Sequence, residues 1–141
     1  MELLAATPGV TWEAASTAAQ AAVRHAEAHG WRINVGVVDR SGNLMAFLRM
    51  PGAFLHSIEL AIDKAYTAAS FGFPTKGWMG AVGHDEGMKL GFAARPRLVV
   101  FGGGLPIRAG ADWVGGIGVS GASEAEDEQC ARAGLAALGL G

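Results

Sequence analysis

Apolar residues recur every three or four positions in four segments of the chain, the spacing of one face of an α-helix. The predicted helices span residues 11–29, 57–71, 76–90 and 123–138. Thr11 and Ser123 are good N-cap residues, and Gly30 is a typical helix end. Glycines interrupt the third segment, which predicts a shorter helix there. The first helix has a stripe made mostly of alanine, together with Trp12 and Val23, so we expect it to pack very close to a neighbour.

Runs of β-branched residues predict four strands, because such side chains favour an extended backbone. The strands are expected at residues 33–39, 44–49, 97–101 and 112–119. The first two flank a turn that contains Gly42 and Asn43, which is typical of a β-hairpin. The resulting order, α-ββ-α(α)-ββ-α, predicts an α+β fold in which helices flank an antiparallel central sheet. We expect one domain over residues 11–139, preceded by an N-terminal extension over residues 1–10.

Composition adds predictions about partners and location. The 141 residues are 50% hydrophobic and 17% charged, against the roughly 25% charged residues typical of soluble domains. With four tryptophans, this predicts apolar surface that a homo-oligomer covers, with the 112–119 strand and the first helix as contacts. A net charge of −2 argues against nucleic acid as a partner. Without a long apolar segment or a basic leader, we expect a cytoplasmic protein that does not enter a membrane.

Two glycine-rich segments late in the chain are the first candidates for chemistry. Because glycine lacks a Cβ atom, its N–H group can approach a carboxylate or phosphate closely. The ligand contacts predicted from the first segment are Gly102, Gly103, Gly104 and Pro106. The alternative explanation is that these glycines allow tight strand bends and close helix packing. Neither segment has the lysine and hydroxyl residue of a phosphate-loop motif.

Lys64 is the second candidate, because it lies among alanines on the predicted second helix with Thr67 on the same face. A lysine whose stem is buried directs its ammonium group at an anion or at solvent. We expect Lys64 to face a cavity bounded by the glycine segment, where it and Thr67 contact a ligand. The alternative is a solvated lysine paired with Asp63 or Glu59.

His56 and His84 are candidate general bases or axial ligands of an iron porphyrin, and His25 and His29 are weaker candidate metal ligands. His84 lies in a glycine-flanked loop that could reach a flat ligand at the glycine segment, and it is the preferred ligand. His56 precedes the second helix among apolar residues and ranks second. His25 and His29 are four residues apart, so both imidazoles lie on one helix edge; they rank third, with haem held between subunits. A polar helix edge or a packed core histidine is the alternative in each case.

Several short motifs occur in a fixed order along residues 11–139. They are Val35–Asp39, Gly42–Phe47, Arg49–Ala53, Ser57–Ile58, Lys64–Ala68, Gly103–Ile107, Ile117–Ala122 and Glu126–Glu128. As a set they resemble the GlcG/HbpS family of haem-degrading proteins, which is similar to the C-terminal domain of PduO-type cobalamin adenosyltransferases. The resemblance implies a compact α+β subunit, assembly into tetramers or octamers, and haem binding by some members.

These observations predict an oligomeric small-ligand-binding protein that binds haem or a related tetrapyrrole. The alternative is an enzyme that acts on a small carboxylated metabolite. In that alternative, Lys64 and the glycine segment hold the carboxylate, while His56 or His84 moves a proton. Arg49, in one of the family-like motifs, is a further predicted ligand contact.

Overall fold

The computed structural model describes residues 1–141, and its helices and strands follow the predicted order. The helices are α1 (Trp12–His29), α2 (His56–Phe71), α3 (Trp78–Val82), α4 (Glu86–Ala93) and α5 (Glu124–Ala137). The strands are β1 (Asn34–Asp39), β2 (Leu44–Arg49), β3 (Gly104–Ala109) and β4 (Asp112–Ser120). A 3₁₀ turn spans Thr75–Gly77. The predicted α+β class is confirmed. No helix is both long enough and apolar enough to cross a membrane.

The four strands form one antiparallel sheet in the order β2-β1-β4-β3. The predicted hairpin joins β1 to β2, and the Asp39 carboxylate organises its turn by accepting the N–H groups of Ser41 and Asn43, each at 2.9 Å. Gly42 has φ +89° at this turn, a backbone conformation that favours glycine. The two most buried strands, β1 and β4, pair at the centre of the sheet.

One face of the sheet packs against α1 and α5 and forms the main hydrophobic core. The side chains that it contributes are Val35, Val37, Leu105, Ile107, Ile117 and Val119. Helix α1 covers them with an alanine face, and its N-cap Thr11 and C-cap Gly30 are confirmed. The helices approach closely, since a Cβ atom at Gly134 of α5 would lie 2.9 Å from the Ala18 carbonyl oxygen.

The opposite face of the sheet is largely bare of side chains and packs against α2. Its glycines are Gly36, Gly104, Gly116 and Gly118. A Cβ atom at Gly116 or Gly118 would overlap the main-chain carbonyl oxygens of Ala65 or Ala61 in α2. The helix backbone thus lies almost directly on the strand backbone. Close packing of α2 therefore explains Gly104, Gly116 and Gly118, which agrees with the alternative explanation given for the glycine segments.

The C-terminal end of α2 is held by side chains of β3, β4 and the turn between β1 and β2. A helix leaves its last carbonyl groups without partners, and α2 has no basic residue in its last turn. The indole N–H of Trp113 and the guanidinium of Arg40 both donate to the Ala69 carbonyl, at 2.8 and 3.2 Å. Arg108 donates to the Gly72 carbonyl. These donors fix the position of α2 against the sheet.

The strand predicted at residues 97–101 is wrong: this segment is an irregular loop that leads into β3. Arg97 has φ +65°, which breaks an extended backbone. The Thr67 hydroxyl donates to the Arg97 carbonyl at 3.0 Å and accepts the N–H of Val99 at 3.1 Å. Because the Thr67 side chain bonds these main-chain groups, they are not available for hydrogen bonds with a neighbouring strand. The strand forms later, at the position where the second hairpin can pair.

The third predicted helix, 76–90, is divided into the 3₁₀ turn, α3 and α4. Asp85 starts a new helix there, because its carboxylate accepts the Met88 N–H at 3.0 Å as an N-cap. Helix α4 has no buried residue of its own. By contrast, the last helix follows the prediction closely, with Ser123 and Glu126 forming a capping box.

The structure bears on two further predictions about surfaces. Trp12 does not belong to the buried stripe of α1, because its side chain is 67% exposed. The β4 strand is not available as a subunit contact along residues 115–120, which are all buried. These residues pair with strands on both sides and face α2 or α1 and α5. The glycines of β4 serve packing within the subunit.

Candidate functional site

Lys64 and Asp127 form an ion pair in the interior of the subunit. The Lys64 ammonium lies 3.2 Å from Asp127 Oδ2 and donates to the Val119 carbonyl at 2.9 Å. The side chains are 1% and 3% exposed. Helix α2 supplies the lysine and the first turns of α5 supply the carboxylate. The second carboxylate oxygen accepts the N–H of Ala122 at 2.9 Å, so Asp127 also fixes the turn that precedes α5.

The glycine segment passes directly over this pair. Gly103 has φ +126°, and a Cβ atom there would lie 2.6 Å from Lys64 Nζ. The neighbouring N–H groups are already bonded: Gly102 donates to Glu124 Oε1 at 2.6 Å, and Gly104 donates to the Thr75 hydroxyl at 2.9 Å. Lys64 therefore lies beside this segment as predicted, but none of the described cavities is lined by Lys64 or by Gly102–Gly104, and the anion that it meets is the chain's own Asp127.

Burial governs the protonation of both charged groups. It lowers the pKa of Lys64, while attraction to Asp127 and Glu124 opposes the shift. It raises the pKa of Asp127, while the Lys64 charge and the main-chain N–H groups of Ala122 and Gly121 oppose that shift. Each group therefore depends on the other to remain charged in a site with almost no solvent contact. Through this ion pair and the hydrogen bond to Val119, Lys64 links α2 to α5 and to β4.

The alternative interpretation of Lys64 as a solvated lysine is wrong. Asp63 instead accepts from Arg97 Nε at 3.0 Å, and Glu59 makes no ion pair with the lysine. Thr67 lies one turn further along α2, where its hydroxyl fixes the 97–99 loop. The lysine and the threonine therefore fasten two different segments to the same helix.

The other predicted ligand contacts lie apart from Lys64. Pro106 is half-buried in β3, beside a cavity of about 370 Å³ that Phe73 and Leu135 also line. Arg49 ends β2, and its guanidinium donates to the Ala53 carbonyl at 3.0 Å. No single pocket among those described brings Lys64, Pro106 and Arg49 together.

His25 and His29 form an aromatic cluster with Trp31 at the end of α1. The two imidazole centroids are 4.4 Å apart, and the His29 ring stacks on Trp31 at 4.5 Å with an interplanar angle of 22°. His29 Nδ1 lies 2.8 Å from the His25 carbonyl oxygen, and His29 is exposed. His25 Nε2 is buried and has no hydrogen-bond partner.

The remaining histidines lie on other surfaces. His84 is exposed in the turn between α3 and α4, and His56 is exposed at the first residue of α2. Phe54 and Leu55, which precede His56, are 71% and 72% exposed. No group of three or more histidine, cysteine, aspartate or glutamate side chains is arranged to hold a metal ion.

Sequence reasoning missed Asp127 as the partner of Lys64, because four acidic residues crowd the start of α5. A signal was present in the helical spacing. Asp127 is the acid that shares a face with Cys130, Ala131 and Gly134, which pack into the core. The stacking of His29 on Trp31 was also missed, since the two residues lie on either side of the Gly30 cap.

Comparisons with known proteins agree with this architecture. The chain matches the family model of the haem degrading protein HbpS-like over residues 10–136. A 15.0 kDa protein encoded between dhaT and dhaS in Citrobacter freundii is 35% identical over 131 residues, 89% of both chains. HbpS, a Streptomyces reticuli protein, is 42% identical, with a TM-score of 0.88 over 96% of this chain and 94% of that one.

A further similar structure is a complex of PduOC with haem. It is 30% identical, with a TM-score of 0.86 over 94% of this chain and 97% of the other. The family model covers every strand and all helices up to the last residue of α5, so it includes the contact between α2 and the glycines of the sheet. The chain is a member of the haem-degrading HbpS-like family.

Proposed function

We propose that this protein binds haem or a related tetrapyrrole, with the His29 surface as the binding site. The observation that carries the proposal is the hydrogen bond from His29 Nδ1 to the His25 carbonyl oxygen, at 2.8 Å. A carbonyl oxygen only accepts, so Nδ1 must carry the proton when this bond forms. In the neutral ring, Nε2 then keeps its lone pair and is available as a metal ligand on an exposed residue.

The surroundings of His29 suit a flat aromatic ligand. Trp31 stacks on one side of the imidazole and holds its plane, and His25 supports the ring from α1. A bound haem would supply an iron centre, and His29 would hold it through Nε2. The residues present fit this group. The similarity to a PduOC–haem complex and the membership in the HbpS-like family support the same ligand.

An assembly of several copies is part of this proposal. The largest described cavity of the subunit is about 370 Å³ and lies at β3 and α5, away from α1. A porphyrin on the exposed His29 surface therefore needs a second surface to cover its other face. Exposed apolar side chains in several regions favour subunit contacts; they include Trp12, Phe54, Leu55, Met88 and Leu90.

The sequence-based preference for His84, with His56 second, stays a prediction. His56 has apolar neighbours but no hydrogen bond that orients its ring, and His84 has none either. An oriented imidazole loses less freedom on binding iron, which favours His29.

Haem titration of four single variants tests these assignments. We expect the Soret shift to be lost in His29→Ala and to persist in His25→Ala, His56→Ala and His84→Ala. His25→Ala keeps the main-chain carbonyl that orients His29 but removes the neighbouring ring, so the shift should persist with weaker affinity. His56→Ala and His84→Ala, on other surfaces, are the matched controls. Loss of the shift in His84→Ala alone would instead support the sequence-based order. Retention in all four variants, or no Soret shift with the unmodified protein, would overturn histidine ligation.

A further inference from the structure

Arg97 is the only non-glycine residue with a positive φ, at +65°. A left-handed backbone costs an L-residue roughly 1–2 kcal/mol, and such residues persist only where their surroundings hold them. Arg97 lies between Pro96 and β3, in the loop that crosses the outer side of α2. The strain marks a position where the direction of the side chain matters.

Three contacts hold Arg97 in this conformation. The Thr67 hydroxyl donates to its carbonyl at 3.0 Å, and its Nε donates to Asp63 Oδ1 at 3.0 Å. The guanidinium carbon lies 3.6 Å from the centroid of the Tyr66 ring, a cation–π contact. Both terminal nitrogens of Arg97 have no hydrogen-bond partner in the chain. The guanidinium is therefore oriented, with two nitrogens left for another group.

Arg97 lines a groove that we call the Arg97 cleft, defined by Tyr66, Ser70, Arg95 and Arg97. A cavity of about 170 Å³ lies on the Arg95 side of Tyr66, and one of about 130 Å³ lies on the Arg40 side. Tyr66 and Ser70 line both cavities. Their hydroxyl groups and the Arg95 guanidinium make no hydrogen bond or ion pair within the chain.

The charges around the cleft favour an anion. The positive groups are Arg40, Arg95 and Arg97, although Arg40 also serves the end of α2 through Ala69. The negative groups are Asp63, which is paired with Arg97, and Glu59, which lines the neighbouring surface. Arginine presents parallel N–H groups that match the two oxygens of a carboxylate or phosphate.

We propose that the Arg97 cleft binds the oxyanion group, a phosphate or a carboxylate, of a small metabolite. Arg97 and Arg95 donate to the oxyanion, and the hydroxyl groups of Tyr66 and Ser70 donate from the α2 side. The volume of the cleft suits one such group. The proposal is independent of haem, since it places no group on α1. It also differs from the carboxylate site expected at Lys64, whose ammonium is bonded to Asp127.

Isothermal titration calorimetry of the unmodified protein with sodium phosphate and with sodium malonate, at constant ionic strength, tests the proposal. Saturable binding of either anion is expected, and the stronger one identifies the head group. Arg97→Gln should weaken that binding by at least about tenfold, because a charged hydrogen-bond donor is lost. Arg24→Gln, at an exposed and unpaired arginine of α1, is the control for net charge and should leave binding unchanged.

Arg97→Gly keeps the test interpretable if the glutamine variant is unstable. Glycine adopts a positive φ without strain, so this variant should fold and still lose anion binding. Ser70→Ala should weaken binding less, since it removes one neutral donor. No saturable binding of either anion overturns the proposal. Equal weakening by Arg24→Gln and Arg97→Gln also overturns it, because the effect is then one of net charge. Haem titration of the same variants reports separately on the His29 site.

Discussion

The Lys64 ammonium and the Asp127 carboxylate lie 3.2 Å apart inside the subunit, although 63 residues separate them along the chain. The pair joins the helix on one face of the sheet to the helix on the other. It does so through the gap that the glycines of β3 and β4 leave open. A charged pair in such a position is costly to break, since the remaining partner stays buried without compensation.

We therefore expect Lys64→Met to lower the free energy of unfolding by about 3–5 kcal/mol, measured by urea denaturation. Lys64→Met combined with Asp127→Leu should recover much of that loss, because no unpaired charge remains. Lys76→Met is the matched control: its lysine pairs with Glu128 but is 57% exposed, so the loss should stay below about 1 kcal/mol. Equal losses from the two single variants would contradict this account.

Gly118→Ala should destabilise the protein by about 1–3 kcal/mol or more, because the new methyl group meets the Ala61 carbonyl of α2. The helix would have to move off the sheet to accommodate it. Gly91→Ala in α4 is the opposite case, since nothing lies within 4 Å of the added Cβ atom. That change should raise stability by up to about 1 kcal/mol through helix propensity. Thermal or urea unfolding of the two variants compares them directly.

Cys130 should not react with thiol reagents in the folded protein. Burial raises the pKa of its thiol to about 12, with the Asp127 and Glu126 charges adding to the shift. At pH 8 roughly one molecule in ten thousand then carries the reactive thiolate. Ellman's reagent should label the residue after unfolding in guanidinium chloride and not before. Rapid labelling of the native protein would show that the thiol is accessible.

Asp39 should make stability depend on acidity. Burial tends to raise its pKa, but hydrogen bonds from Asn43, Ser41 and Gly42 outweigh this and lower the pKa below its ordinary value. A lowered folded-state pKa means that the stabilisation is present above the unfolded-state pKa, near ~3.9, and is lost as pH falls through the folded value. Between pH 7 and pH 3, the free energy of unfolding should fall less for Asp39→Asn than for the unmodified protein, as measured by urea denaturation at each pH.

Light scattering should give a mass several times the 14.4 kDa of one chain, in line with a tetramer or an octamer. The physical reason is the exposed apolar surface, since Trp12, Phe54 and Leu55 are each more than two-thirds solvent-accessible. A mass of 14.4 kDa at micromolar concentration would contradict the assembly. It would also remove the second surface that haem binding on α1 needs.

Local features of this fold could be predicted from the sequence because their causes lie within a few residues. Helices α1 and α5 begin after the N-caps Thr11 and Ser123, and α1 ends at Gly30, because each of these residues caps neighbouring main-chain groups. The β1–β2 hairpin follows from β-branched runs around a turn with a glycine at positive φ. The helical spacing placed Lys64 and Thr67 on one face of α2 and predicted a ligand as their partner. Both side chains are buried there, and both bond groups of the chain itself.

The partners of those side chains depended on contacts between distant segments. The strand propensity of residues 97–101 was overridden because Thr67, 30 residues earlier, bonds the main chain of the loop. The histidine cluster, likewise, required the turn at Gly30 to fold Trp31 back over His29.

The sequence by itself thus determined the first, second and last helices, the β1–β2 hairpin and the family, since capping, periodicity and short motifs are local properties. Only the tertiary structure decided that α2 packs on the glycines of β4 and that Lys64 pairs with Asp127. It also decided that the two terminal nitrogens of Arg97 have no partner in the chain. For each of these groups the sequence offers several chemically equivalent partners. The folded structure determines which partner is used, because an ion pair or a hydrogen bond forms only between groups that packing brings within about 3 Å.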